Sequence, residues 1–185
     1  MRLLRSLDLK QKSFVTVVKV IKFPFLSGII LLLITGITGC TEETAQLTKG
    51  QATPVFDLPK IQQGSLHFPK DVQNKVIAIR FWADWCPFCK TEMRDVEPVY
   101  QEYKDQGLVI LAINVRQNQD TVQAFIKDLN ISYDVLLDES GEIARAYGVS
   151  GLPITFFMGR EGTLQTRILG ESTPEIFESI IQELL

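Results

Sequence analysis

The segment Trp85-Cys86-Pro87-Phe88-Cys89 constrains this chain more than any other. Two cysteines three positions apart can close and reopen a short disulfide with little movement of the backbone. They follow Val76 to Trp82, which is apolar except at Arg80, the pattern of a strand buried on both faces. Pro87 to about Tyr103 then reads as a helix, bent near Pro98, whose nitrogen has no hydrogen to donate. Cys86 is therefore expected where a central strand ends and a helix begins.

Position matters here as much as spacing. A helix N-terminus offers unpaired N–H groups and a partial positive charge, and both stabilise a thiolate. Such sites bring a cysteine pKa from about 8.5 into the range of roughly 3.5–7.5. Cys86 is then the attacking sulfur, and Cys89, one turn on and shielded, resolves the mixed disulfide. A zinc site needs about four ligands, and this pair with His67, the single histidine, falls short. A purely structural bridge over so short a span removes little chain entropy. No metal is expected, nor any cofactor beyond the Cys86–Cys89 disulfide.

The first 39 residues do not read as folded domain. Arg2, Arg5, Lys10, Lys12, Lys19 and Lys22 make the start basic, and an apolar run from Phe23 leads to Gly39-Cys40. A basic stretch, an apolar core and small residues before a cut describe an export signal. The ending Ile37-Thr38-Gly39-Cys40 resembles a bacterial lipobox, which implies lipidation of Cys40. The other reading is an uncleaved anchor, but Phe23 to Gly39 contains Pro24, Gly28 and Gly36 and falls short of the ~20 apolar residues of a span. Either way the folded part is expected outside the cytoplasm, held to a membrane. Residues 40–50 are a polar tether and 51–185 one domain.

The 146 residues after position 39 suit a single core. They carry 13 basic and 21 acidic residues, a net −8 against −3 for the whole chain. That balance, without a basic stripe, argues against nucleic acid as a partner. With three cysteines in all, the domain is no disulfide scaffold.

Further elements follow from periodicity. Leu66 to Phe68 is a short edge strand, Leu108 to Val115 a buried strand, and Asp134 to Leu137 a short one. Gln119 to Leu129 puts Val122, Phe125, Ile126 and Leu129 on one helical face, and Glu139 to Tyr147 is a short helix. Ile154 to Met158 and Leu164 to Leu169 flank Gly159-Arg160-Glu161-Gly162, a hairpin signal. Thr173 caps a closing helix with Pro174 at its first position. Alternating strands and helices imply an α/β domain, a central mixed sheet flanked by helices.

At this point the chain is similar to thioredoxin-fold proteins, and most of all to membrane-tethered extracytoplasmic reductases of the TlpA/ResA/CcmG type, within the redoxin (AhpC-TSA) superfamily. The likeness spans nearly all of residues 50–185. It rests on the entry segment Gly50 to Leu58, on Phe81-Trp82-Ala83-Asp84-Trp85-Cys86-Pro87-Phe88-Cys89, and on Gly151-Leu152-Pro153-Ile154-Thr155. Residues 119–148 look like the inserted β/α unit that separates these proteins from plain thioredoxin. The resemblance implies a cis bond before Pro153, with the Leu152 backbone beside Cys86 where a substrate chain pairs. It also implies that Glu92, three residues after Cys89, tunes proton transfer at the dithiol; partial burial would help it accept a proton. Trp85, Pro87 and Phe88 are expected to touch substrate, and Trp82 to be core. His67 has no expected role.

Two positions depart from the family pattern. Arg80 stands where thioredoxins carry a buried aspartate, and it either snorkels outward or pairs with a carboxylate such as Glu92. Arg94 stands where these reductases often have proline. The expected activity is that of a thiol:disulfide oxidoreductase reducing exported proteins, apocytochrome c among the possible clients. The resemblance implies a membrane electron donor of the DsbD or CcdA type, and a monomer is expected. A peroxiredoxin-like peroxidase fits less well, because Ile79 and Ala83 occupy the positions of its Pro and Thr. A metal-delivery or thiol-guarding protein on the same fold, such as a copper chaperone, would need CxxxC spacing and a later histidine.

Overall fold

The computed structural model describes residues 46–185. The leader, Cys40 and the first part of the tether lie outside the described residues. Among those described, no helix is long and apolar enough to cross a membrane.

Five strands form the main sheet in the order β5-β4-β3-β6-β7. β3 (Val76–Trp82) lies at the centre, parallel to β4 (Leu108–Val115) and antiparallel to β6 (Ile154–Met158). β5 (Asp134–Asp138) extends the parallel half, and β7 (Leu164–Leu169) closes the other edge antiparallel to β6. The sheet is mixed, as the alternating pattern implied.

All seven residues of β3 are buried, because both faces are covered. Period-two alternation divides them. Val76, Ala78 and Trp82 face a core with α1 (Cys89–Asp95), α2 (Glu97–Tyr103), α3 (Gln119–Ile126) and α5 (Pro174–Leu184). Ile77, Ile79 and Phe81 face a second core that includes α4 (Glu142–Ala146). Each fully buried large apolar side chain contributes ~1.5–3 kcal/mol, so this strand anchors both layers.

The second core is capped by a hairpin. β1 (Phe56–Pro59) pairs antiparallel with β2 (Ser65–Phe68), and Phe56 stacks on Phe68 at 4.8 Å between ring centroids. Lys60 bridges to Leu136 and its amine meets the Asp134 carboxylate at 2.9 Å. β2 was expected as an edge strand; its partner β1 was not, since a four-residue run containing Asp57 and Pro59 gives a weak strand signal.

One expectation needs correction. The helix expected from Pro87 begins at Cys89 and is broken at Val96 into α1 and α2. Pro98 is the second residue of α2, so the bend falls just before it, where the missing proline N–H leaves the ladder open. The helices expected from Gln119 and Glu139 are also shorter than their apolar periodicity, at eight and five residues. The capping residues behave as read: the Thr173 hydroxyl accepts the Ile176 N–H at 3.4 Å, with Pro174 opening α5.

Candidate active site

The site lies at one end of the sheet, where β3 finishes and its neighbour β6 begins. Phe81 pairs with Ile154, so the loop leaving β3 and the loop entering β6 come out side by side. The first carries the cysteines and the second carries Pro153. Cys86 and Cys89 are joined in a disulfide, with Cα atoms 5.5 Å apart. Both are buried, at 2 % and 0 % exposure, so Cys86 is more enclosed than its role as attacking sulfur led one to expect. The Cys86 N–H donates to the Ala83 carbonyl (3.2 Å) and the Cys89 N–H to the Cys86 carbonyl (3.3 Å), which folds the dithiol into tight turns ahead of α1.

The Leu152–Pro153 bond is cis, and Leu152 packs against the core cluster that contains both cysteines. The Pro153 carbonyl accepts the Gly170 N–H at 2.8 Å, tying this loop to the end of β7. The loop before Cys86 is held from the other side by Gln117. Its Oε1 accepts the Asp84 N–H (2.9 Å) and an Asn114 amide hydrogen (2.8 Å), while its Nε2 donates to Asp84 Oδ1.

Trp82 is fully buried, with its ring 4.9 Å from that of Phe125, and is core as expected. Trp85 and Phe88 instead stand out at 68 % and 47 % exposure, next to the cysteines in sequence. Leu169, on β7 opposite Ile154, adds a third exposed apolar side chain at 63 %. It lies 3.9 Å from where a Gly151 Cβ would be. Leu169 was not foreseen; its only signal was an apolar residue at the end of a strand with a polar middle.

Arg80 does not snorkel. It is 1 % exposed, and its Nη2 donates to Glu92 Oε2 inside the protein. Nη1 donates to the Thr155 hydroxyl at 3.3 Å. The other Glu92 oxygen accepts the Ser172 N–H at 2.6 Å and its hydroxyl at 3.3 Å. Both carboxylate oxygens are thus occupied by donors, an arrangement suited to an ionised, acceptor-only group. Nearby, the Tyr133 hydroxyl donates to the Met93 carbonyl at 2.6 Å. Burial pushes Tyr133 far above the ordinary tyrosine value, opposed in small part by the positive charge of Arg80.

His67 sits away from the dithiol on β2, with Nε2 3.2 Å from Asp57 and Nδ1 3.2 Å from Asp71. Ile79 and Ala83 are fully buried core positions. Among the described residues, no group of three or more His, Cys, Asp or Glu is placed to hold a metal ion.

A central β3 feeding a dithiol, set against a cis-proline loop, defines a thioredoxin-fold thiol–disulfide oxidoreductase. The comparisons with known proteins narrow this. Residues 49–167 match the model of the AhpC/TSA family, and the chain belongs to that family. It is similar to a thiol-disulfide oxidoreductase ResA of Bacillus thuringiensis subsp. konkukian, 30% identical over 162 residues, covering 84% of this chain and 93% of that one. A ResA of Geobacillus kaustophilus is 31% identical over 144 residues, 78% of this chain and 82% of that one. Among solved structures, a putative thiol:disulfide interchange protein DsbE from Chlorobium tepidum superposes with a TM-score of 0.68 at 28% identity, covering 75% of this chain and 96% of that one.

Proposed function

We propose that this oxidoreductase works as a reductant of disulfides in exported proteins, anchored to a membrane through lipidated Cys40 and facing away from the cytoplasm. The observation that carries the reading is the Cys86–Cys89 disulfide closed beside the cis Leu152–Pro153 loop. In the reduced protein Cys86 is the thiolate. It attacks one sulfur of a client disulfide, forming a mixed disulfide, and the other client sulfur leaves as a thiolate that takes a proton from water. Cys89 then gives up its proton to water and its thiolate attacks the Cys86 sulfur; the second client sulfur leaves as a thiolate that takes up a proton, and the enzyme disulfide re-forms. Two electrons pass from enzyme to client.

Trp85, Phe88 and Leu169 give the client an apolar rim, and the Leu152 backbone gives its chain an edge to pair with. Glu92 contributes as a fixed charge one turn beyond Cys89, held in place by Arg80 and Ser172. A membrane dithiol carrier of the DsbD or CcdA kind restores the electrons, and no cofactor other than the disulfide takes part. Apocytochrome c thiols are one client class, and the protein acts as a monomer.

The experiment is a measured reduction potential combined with trapping by Cys89→Ser in the native cell. A potential in the reducing range of thioredoxin, with exported proteins held covalently on Cys86, is the expected result. A potential near that of a strong oxidant such as DsbA reverses the assigned direction.

A further inference from the structure

Beside the dithiol lies a groove of about 330 Å³ that the redox chemistry itself does not use. Trp85 and Leu152 form its near wall, and Arg116, Gly141, Arg145 and Ser150 lie along the rest. Its near wall is thus the same rim and pairing loop that a client chain would meet at Cys86.

The two arginines are placed there by the fold. Arg116 follows β4 directly and takes a left-handed backbone, φ +60°, which a non-glycine residue rarely adopts. Its side chain lies over Gly141, where a Cβ would come within 2.5 Å of Nε and 2.8 Å of Cγ. Gly141 is itself at φ +70°, and opens α4. Arg145, one turn along that helix, donates from Nη1 to the Ser140 carbonyl at 3.0 Å, which holds its guanidinium at the groove it lines. Two guanidinium forks lining one groove suit a planar anion.

Neither arginine has a carboxylate partner among the described residues. Two carboxylates on neighbouring segments are engaged elsewhere. Asp138 is buried and accepts the Ala144 N–H at 2.8 Å, and Asp84 is bound by Gln117. Glu142 is exposed in the first turn of α4. A chain carrying 22 acidic and 19 basic residues thus gathers two cations at a groove that opens onto its pairing loop.

We propose that this groove is a specificity subsite for a carboxylate side chain in the client polypeptide, so that disulfides with an Asp or Glu a few residues from the attacked cysteine are reduced preferentially. The inference rests on the reductase reading above. Apolar Trp85, Val115, Val149 and Leu152 receive the stem of the acidic residue while Arg116 and Arg145 meet its carboxylate.

The test uses the full-length reduced protein in detergent and three disulfide peptides that differ only in carrying Glu, Gln or Lys two residues from the cysteine. Partly exposed ion pairs are worth ~0.2–1 kcal/mol each, so kcat/KM for the Glu peptide should exceed that for the Gln peptide by about threefold or more. The Lys peptide should be slower still, and the ratios should shrink between low and high salt. Arg116→Gln with Arg145→Gln should bring the Glu-to-Gln ratio close to one, and paired Lys replacements should retain part of it. Arg145→Glu alone, a change on an exposed helix face that offsets the charge of Arg116, should bring the rates of the Glu and Lys peptides together. Equal rates for the three peptides, or a preference indifferent to these substitutions, overturns the subsite while leaving the reductase in place. If no peptide is reduced at all, the reductase reading falls and the subsite with it.

Discussion

Arg80 and Glu92, twelve residues apart, form an ion pair inside the protein, with side-chain exposures of 1% and 7%. The pair ties the middle of β3 to the first turn of α1, the element that carries Cys89. Thr155 on β6 accepts from Arg80 Nη1 and Ser172 ahead of α5 donates to the other Glu92 oxygen, while Arg80 Nε has no partner among the described residues. One buried cluster therefore joins four segments packed around the dithiol.

Breaking this pair from one side should be costly. Removing one partner of a buried pair strands the other charge and typically costs 3–5 kcal/mol. Arg80→Met and Glu92→Gln should each lower unfolding free energy by about that much, and the double variant by clearly less than the sum. Urea unfolding of all four proteins measures the coupling. Strict additivity would show that the two side chains do not act as a unit.

Reduced Cys86 should ionise more readily than a free thiol. Only the thiolate is alkylated, so the rate climbs with pH until ionisation is complete, and a lowered pKa moves the midpoint to lower pH. In the Cys89→Ser protein the alkylation midpoint is expected below the ~8.5 of free cysteine. A midpoint at or above that value would remove the basis for Cys86 as attacking group.

Alkali should unfold the domain through two tyrosines. Tyr133 and Tyr147 are fully enclosed, and burial is the first cause raising both above the ordinary value of about 10. A raised folded-state value means the folded protein holds the proton while the unfolded chain loses it. The stabilisation is therefore complete below about pH 10 and falls as pH rises beyond it. Tyr133→Phe and Tyr147→Phe should each flatten that alkaline loss. At neutral pH each should cost about 1 kcal/mol for the bonds to the Met93 and Pro54 carbonyls. Denaturation midpoints between pH 7 and 11 check both the sign and the window.

Glycine positions separate backbone strain from crowding. Gly162 (φ +78°) has open space where a Cβ would go, whereas at Gly141 (φ +70°) the Arg116 side chain already occupies it. Gly162→Ala should cost about 1 kcal/mol from the left-handed backbone alone. Gly141→Ala should cost more, and adding Arg116→Ala should recover the difference. Thermal melts of the three variants decide it; equal costs at the two glycines would mean that Arg116 moves aside freely.

Much of this molecule is local in origin. The apolar run of β3, the hairpin glycines between β6 and β7, the Thr173-Pro174 helix start and the spacing of Cys86 and Cys89 are short-range signals, and each is found where its pattern places it. Period two and period 3.6 are properties of neighbouring residues, so a single chain displays them. The break at Val96 was displaced by two residues from the proline that causes it, because a proline disturbs the turn before it.

The partners of polar groups were decided elsewhere. Arg80 in a strand is compatible with snorkelling or with pairing, and only the packing of α1 across β3 selects Glu92. The pairing of β1 with β2, the exposure of Leu169 and the meeting of Arg116 with Arg145 likewise depend on segments brought together from far along the chain. Sequence determined which elements form and where the sulfurs sit, since those follow from local periodicity and spacing. Tertiary structure alone decided which charges are neutralised inside and which remain facing solvent, since electrostatic partners are fixed by distance in space.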